Sequence, residues 1–426
     1  MKEYFDNLKP FNFWNGNVPQ TGFLRVTYLQ KIQNFVNNKL VKVVVGQRRV
    51  GKSYLLRQIA RQLLENGVDA RQLFYLNKEF LVFDFVKNYQ DLDALIQFYR
   101  QELQPEGKIY LFIDEIQNIE GWEKLVNSYA QDFTTSYEIF ISGSNSKMLS
   151  GELATLLSGR YVSFEVFPFS FHEYLGINSL KSNITSFTSY LQTGGLPELF
   201  ALPNEETKRH YVSSVKDTVL LRDIIQKNAI KDPKLLEDIF VYLINNASNL
   251  LSVNNITNYL KSNGRKTTFD TISNYIGFIE DTFLVHKAER YDIKGKDLIA
   301  GNVKYYANDL AYKNYLYSGF GYGIGYLLEN LVYLSLRRAG FEVYVGVLPN
   351  KEVDFVAKKA SEILYIQCAY LLQDETTLAR EYQGLQTISD NYPKIVVSMD
   401  AVVLPSRDGI LHVQAWNLES FLSERF

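Results

Sequence analysis

The stretch Val43-Val44-Val45-Gly46-Gln47-Arg48-Arg49-Val50-Gly51-Lys52-Ser53 narrows the folds open to this chain more than any other. A short β-branched run stops at a G-x-x-x-x-G-K-S loop, and a helical pattern from Tyr54 to Glu65 starts at once. Strand, glycine loop and helix in that order are the setting a phosphate-binding P-loop requires. Glycines let the backbone turn tightly, so successive N–H groups point inward around an anion, and the positive end of the next helix strengthens the site. Gly46, Gln47, Arg48, Arg49, Val50, Gly51, Lys52, Ser53 and Tyr54 are therefore the expected nucleotide contacts. Lys52 would reach the β- and γ-phosphates, and the Ser53 hydroxyl would be a ligand of Mg²⁺. The chain is expected to bind a nucleoside triphosphate.

Lys108-Ile109-Tyr110-Leu111-Phe112-Ile113-Asp114-Glu115-Ile116-Gln117 is the second motif. A strand buried on both faces is continuously apolar, and the acids then project at its carboxyl end. Asp114 is the expected second metal residue, and Glu115 the residue that polarises the attacking water. An Asp-Glu pair also ends ordinary strands, but downstream of an intact P-loop the catalytic reading is favoured. Gln72 to Leu76 reads as another strand, with Asn77 and Glu79 at its C-terminal end, where open α/β sheets bind ligands. Glu138 to Ser142 reads as a third, ending in Gly143-Ser144-Asn145-Ser146. Those small polar residues either sense the γ-phosphate or form a plain Gly-Ser turn.

The run Gly143-Ser144-Asn145-Ser146-Lys147-Met148-Leu149-Ser150-Gly151-Glu152-Leu153-Ala154 leads to Leu157-Ser158-Gly159-Arg160-Tyr161. Phe167-Pro168-Phe169-Ser170-Phe171-His172-Glu173-Tyr174 and Thr193-Gly194-Gly195-Leu196-Pro197 come next. With the P-loop Arg48-Arg49-Val50 and the Asp114-Glu115-Ile116-Gln117 box, these signatures resemble the archaeal-type AAA ATPases, related to the STAND branch of P-loop NTPases. The resemblance covers nearly the whole chain. It implies ATP as the nucleotide and an AAA-type core with Ser144 or Asn145 at the sensor-1 position. It also implies Arg160 near the phosphates or at a subunit boundary. From the residues alone, Arg160 either stabilises transition-state charge or pairs with a carboxylate. Arg222, in Leu220-Leu221-Arg222-Asp223-Ile224, receives no role.

The expected architecture is α/β: a P-loop AAA-type core with a parallel sheet, then a winged helix, then an α/β restriction-endonuclease-like domain. Residues 1–20 read as an extended arm that either passes over the adenine or packs on the core. Residues 21–204 are the expected ATPase domain, and residues 205–295 a helical lid ending in a winged helix. Helical patterns fall at Pro233 to Asn246, Ser252 to Asn263 and from Thr267-Thr268-Phe269-Asp270 on, followed by a hairpin-like wing around Tyr291 to Lys296. That geometry reads DNA, and the resembled family has a winged helix here. The acids Asp270, Glu280 and Asp281 weigh against phosphate contact, and the unit is equally a nucleotide-site lid. Residues 296–426 resemble the C-terminal nuclease-like domain of the same ATPases. Glu329 and Asp354 are present, but the E-x-K positions read Gln367-Cys368-Ala369. A neutral amide is a poor ligand for a hard cation and alanine cannot activate water, so nuclease activity is not expected. Asp354 is then free to pair with a lysine.

Composition closes off other classes. Net charge is −2, so nucleic acid is not bound by the whole surface. The single Cys368 excludes an intramolecular disulfide and fits a reducing compartment. His172, His210, His286 and His412 show no metal-ligand spacing. No apolar run is long enough to span a membrane and no secretory signal follows Met1, so a cytoplasmic location is expected. The expected activity is Mg²⁺-dependent ATP hydrolysis by Glu115, Lys52, Asn145 and Arg160, with Ser53 and Asp114 holding the metal. DNA, a protein client and a second copy of the chain are the candidate partners. A nucleotide-gated switch with little turnover and a DNA-processing nuclease are the alternatives.

Overall fold

The computed structural model describes residues 2–149, 155–317, 323–349, 351–372 and 374–426. Ser150 to Ala154 of the signature run lie outside the described residues. The chain divides into two compact units, Met1–Val166 and Phe167–Phe426.

In the first unit, β1 (Val41–Val45), β2 (Leu73–Asn77), β3 (Ile109–Asp114), β4 (Tyr137–Gly143) and β5 (Tyr161–Glu165) form a parallel sheet. Their order is β2-β3-β4-β1-β5. Every residue of β1 to β4 is buried, as continuously apolar strands covered on both faces must be. The helix Lys52–Glu65 turns Leu55, Leu56, Ile59 and Leu63 inward. Burying each such side chain contributes roughly 1.5–3 kcal/mol, which holds the helix start against the sheet. Because the strands are parallel, the loop after β1, the turn after β2, the acids of β3 and the Gly-Ser end of β4 all emerge at one edge.

The first residues are folded, not extended. A short helix, Lys2–Asp6, and two turns bury Phe5, Leu8, Phe13 and Trp14. Asn12 pairs with Tyr75 like a strand: its Oδ1 accepts the Tyr75 N–H at 2.7 Å and its Nδ2 donates to the Tyr75 carbonyl at 2.9 Å. Trp14 Nε1 donates to the Leu73 carbonyl at 2.7 Å. The cause is β2 itself, an edge strand whose open backbone groups need partners.

The second unit begins with helices at Phe171–Asn178, Ile184–Thr193 and Glu205–Thr218, continued by a π-helical stretch at Val219–Gln226. Ser170 and Glu173 form a capping box, so the P-F-S-F-x-E signature is a helix start. The Gly-Gly signature is a packing site. A Cβ on Gly195 would stand 2.3 Å from the Phe169 carbonyl oxygen, and the Gly195 N–H donates to buried Asp309 at 2.8 Å.

Helices Pro233–Asn245, Val253–Ser262 and Phe269–Asp281 follow, the last two capped by Ser252 and Thr268. The long hairpin of β7 (Val285–Asp292) and β8 (Asp297–Ala307) comes next, after the two-residue β6 (Leu250–Leu251). β9 (Glu342–Leu348), β10 (Lys351–Lys359), β11 (Glu362–Ala369), β12 (Lys394–Ser398) and β13 (Ile410–Gln414) complete one mixed sheet. Its order is β13-β12-β11-β10-β9-β7-β8-β6. β7 pairs with β9 in parallel, so the wing hairpin and the C-terminal strands are hydrogen-bonded into the same sheet. The expected boundary at 295–296 falls in the turn of that hairpin. Helices Ile324–Arg338 and Glu375–Gln386 pack on the sheet.

Candidate functional site

Parallel register brings the two sequence motifs together. Val45 pairs with Gly143 and Asn77 with Asp114, so the ends of β1, β4, β3 and β2 meet. Gly46 turns at φ +146°, and a Cβ there would lie 2.2 Å from the Val166 carbonyl oxygen, so only glycine lets the loop leave β1 at this angle. The helix Lys52–Glu65 then opens at Gly51, whose φ is +96°.

Lys52 folds back over its own loop. Its ammonium donates to the carbonyls of Gly46 at 3.0 Å and Gln47 at 3.1 Å and stands 3.6 Å from Glu115 Oε1. Glu115 takes a left-handed backbone, φ 56° and ψ 47°, which swings it off the strand line towards the loop. Gln117 Nε2 donates to Glu115 Oε2 at 2.5 Å and Ser144 Oγ donates to the same oxygen at 3.2 Å. Burial opposes charge on Glu115, but Lys52, Gln117, Arg48 and Ser144 outweigh it and hold its carboxyl below the usual range.

Asp114 is wholly buried. Tyr75 Oη and Asn77 Nδ2 each donate to its Oδ2 at 2.9 Å, Ser142 Oγ donates to Oδ1, and the Ser53 hydroxyl is a further donor. Burial and the charge of Glu115 push its carboxyl up, against those donors. Two adjacent acids thus titrate in opposite directions. The acid held down faces the P-loop lysine, and the acid pushed up faces the P-loop serine. Ser53 with Asp114 is an oxygen donor pair of the kind a hexacoordinate Mg²⁺ uses when phosphates and waters complete its shell. The residues fit that ion.

Of the expected contacts, Arg48 is engaged with Glu79 at the end of β2, at 2.5 Å. Tyr54 points its ring at Gly22 and carries Arg57 at 4.3 Å from the ring centre. The hydroxyl that meets Glu115 from the end of β4 is that of Ser144. Arg160 is not near the P-loop: it is exposed and immediately precedes β5, whose first residue pairs with Val41. At ~3.3 Å per strand residue the loop at Gly46 is roughly 20 Å further along the sheet. The parallel sense of β5, which the sequence could not show, places the arginine at the opposite edge.

Sequence reasoning missed three contributors. Ser142 also accepts the Glu115 N–H at 3.1 Å, so one hydroxyl ties both acids to β4. Its signal was a serine ending an apolar strand. Tyr75 holds Asp114 from the neighbouring strand. Arg25, 1% exposed, donates from Nη1 to the Val50 carbonyl at 3.1 Å and so braces the P-loop from outside. Nothing in its local pattern marks it.

In the second unit, Glu329 and Asp354 do come together. Gln367 does not present a metal-ligand oxygen beside their carboxylates as an E-x-K residue would: its Oε1 accepts the Asp354 N–H at 3.4 Å and its Nε2 donates to Glu381 at 3.0 Å. Ala369 packs into the apolar cluster around Tyr382 and Leu385. Cys368, between them, instead gives its N–H to Asp354 Oδ2 at 2.8 Å. No helix among the described residues is long and apolar enough to cross a membrane.

A family described as "AAA domain" matches residues 38–175, and "Domain of unknown function (DUF8612)" matches residues 184–321. An uncharacterized protein of Haemophilus influenzae is 38% identical over 403 residues, spanning 93% of this chain and 98% of that one. Uncharacterized protein MJ1544 of Methanocaldococcus jannaschii is 30% identical over 369 residues, spanning 81% and 78%. Among solved structures, a Walker-type ATPase of Pyrococcus abyssi superposes with a TM-score of 0.47 at 16% identity, over 69% of this chain and 95% of that one. The Aeropyrum pernix Orc1 protein in complex with DNA gives 0.35 at 13%, over 72% and 96%.

Proposed function

Because this chain belongs to one family with the Haemophilus influenzae and Methanocaldococcus jannaschii proteins and carries an AAA domain at residues 38–175, we propose that it hydrolyses ATP with Mg²⁺. The observation that carries the reading is the meeting of Lys52, Ser53, Asp114 and Glu115 at one edge of the parallel sheet. In this reading the N–H groups of residues 46–53 surround the phosphates, and Lys52 exchanges its loop carbonyls for phosphate oxygens. Ser53 and Asp114 would hold Mg²⁺, which would supply charge neutralisation on the phosphates. Glu115, kept ionised by Lys52 and aimed by Gln117 and Ser144, takes the proton of the attacking water. Arg160 cannot serve its own site in this geometry, so a role at a boundary with a second copy is what remains of that expectation.

We read residues 205–295 as a winged-helix unit and residues 296–426 as a nuclease-like fold without nuclease chemistry. The two capped helices followed by a hairpin support the first. The engagement of Gln367 with Glu381 and the apolar packing of Ala369 support the second. Through these parts nucleotide state would be passed to DNA or a protein client. Phosphate release from ATP by the purified chain tests the activity. Release that requires Mg²⁺ and stops in Lys52→Ala supports it, and no release at any Mg²⁺ concentration counts against it.

A further inference from the structure

Lys304 stands on β8 with a side chain only 5% exposed. Its ammonium lies 2.7 Å from Glu352 Oε1, 3.0 Å from Glu329 Oε1 and 3.8 Å from Asp354 Oδ1. Three carboxylates, from one helix and from β10, share this single monovalent cation. Tyr306 Oη donates to Glu329 at 2.8 Å and the Cys368 N–H donates to Asp354 at 2.8 Å, so the cage is fixed from β8 and β11 as well.

Its electrostatics follow from that count. Burial, with the charge of Glu329 beside it, pushes Asp354 up to about 8. Burial opposes the charge on Lys304, yet Glu329, Asp354 and Glu352 overcome it and hold the ammonium above its ordinary range. A buried carboxyl cluster of this kind is neutralised by a cation or by holding a proton, and here the ammonium lies within hydrogen-bond reach of Glu352 and Glu329. Clustered carboxylate oxygens also suit a hard divalent ion, and the nuclease-like reading of residues 296–426 proposed above, on which this inference rests, would imply one at this place. The residues do not fit that ion. The lysine already stands among the acids and takes the Glu329 and Glu352 oxygens that such an ion would need.

We propose that Lys304 is the resident cation of this cage, standing where a divalent metal would otherwise bind, and that it excludes Mg²⁺ and Mn²⁺. The sheet is then joined to its hairpin by a lysine, independently of any metal supply. Titrating the full chain with Mn²⁺, with free Mn²⁺ followed by electron paramagnetic resonance, tests this apart from ATP turnover. Wild type and Asp354→Asn should bind the same amount. Lys304→Met should take up one further equivalent, lost again in the Lys304→Met, Asp354→Asn double variant. An Asp354-dependent equivalent already present in wild type overturns the proposal, as does no extra equivalent in Lys304→Met. If Lys304→Met folds only in Mn²⁺, the metal has replaced the ammonium and the proposal stands. If it and Lys304→Gln both stay insoluble with Mn²⁺ present, the proposal fails.

Discussion

Replacing Ser142 with alanine removes one hydroxyl that serves both acids. Ser142 Oγ donates to Asp114 Oδ1 and accepts the Glu115 N–H at 3.1 Å, in a position with no solvent to replace it. A hydrogen bond to a charged group is worth roughly 1.5–3 kcal/mol. At 1.36 kcal/mol per pH unit, losing it from a buried carboxylate raises the pH of half-ionisation by about one to two units. The sign follows from the site. Burial and Glu115 already push Asp114 up, so the metal-binding anion is the form under pressure, and removing a donor worsens this. Activity that needs ionised Asp114 is lost as pH falls through that value. The acid limb of kcat/KM for Mg²⁺-ATP hydrolysis should therefore move to higher pH by about one to two units in Ser142→Ala. Parallel pH profiles of the two proteins read it directly. A limb that stays in place while the plateau drops would refute the reasoning and leave Ser142 only a brace for Glu115.

Lys52→Ala should weaken ATP binding by about 10- to 150-fold, the loss of a charge-assisted bond of roughly 1.5–3 kcal/mol. Titration with a fluorescent ATP analogue checks it, and undiminished affinity would count against the phosphate reading of the loop. Gly195→Ala forces a Cβ to within 2.3 Å of the Phe169 carbonyl oxygen. Overpacking of that kind costs about 1–3 kcal/mol, so the denaturant midpoint of the second unit should fall, and an unchanged midpoint would contradict the packing account.

The placing of the glycine loop and the two acids at one sheet edge was legible because local order dictates it: a glycine loop between strand and helix, and acids closing an apolar strand, declare their geometry in consecutive residues. What the sequence hid depends on strand order and strand sense. β4 lies between β3 and β1, and only that neighbour relation puts Ser142 on Asp114 and Ser144 on Glu115. The direction of β5 decides that Arg160 sits at the opposite edge from its own P-loop. The first twenty residues read as an arm since prolines and asparagines suggest turns, while the need that folds them, the open edge of β2, lies some sixty residues away (|i−j| = 63 for Asn12 and Tyr75). Likewise the E-x-K comparison named Gln367 and Ala369. The pairing lysine, Lys304, comes from β8, whose hairpin partner β7 joins the C-terminal strands through β9.

The central claim is that Glu115 is an ionised base aimed by Gln117 and Ser144 at a nucleotide held by Lys52. ATP affinity and single-turnover hydrolysis, measured side by side in wild type and Glu115→Gln, test it most directly. The account predicts affinity within error of wild type and hydrolysis slower by roughly 10²–10⁴-fold. Turnover at the wild-type rate in Glu115→Gln would contradict it.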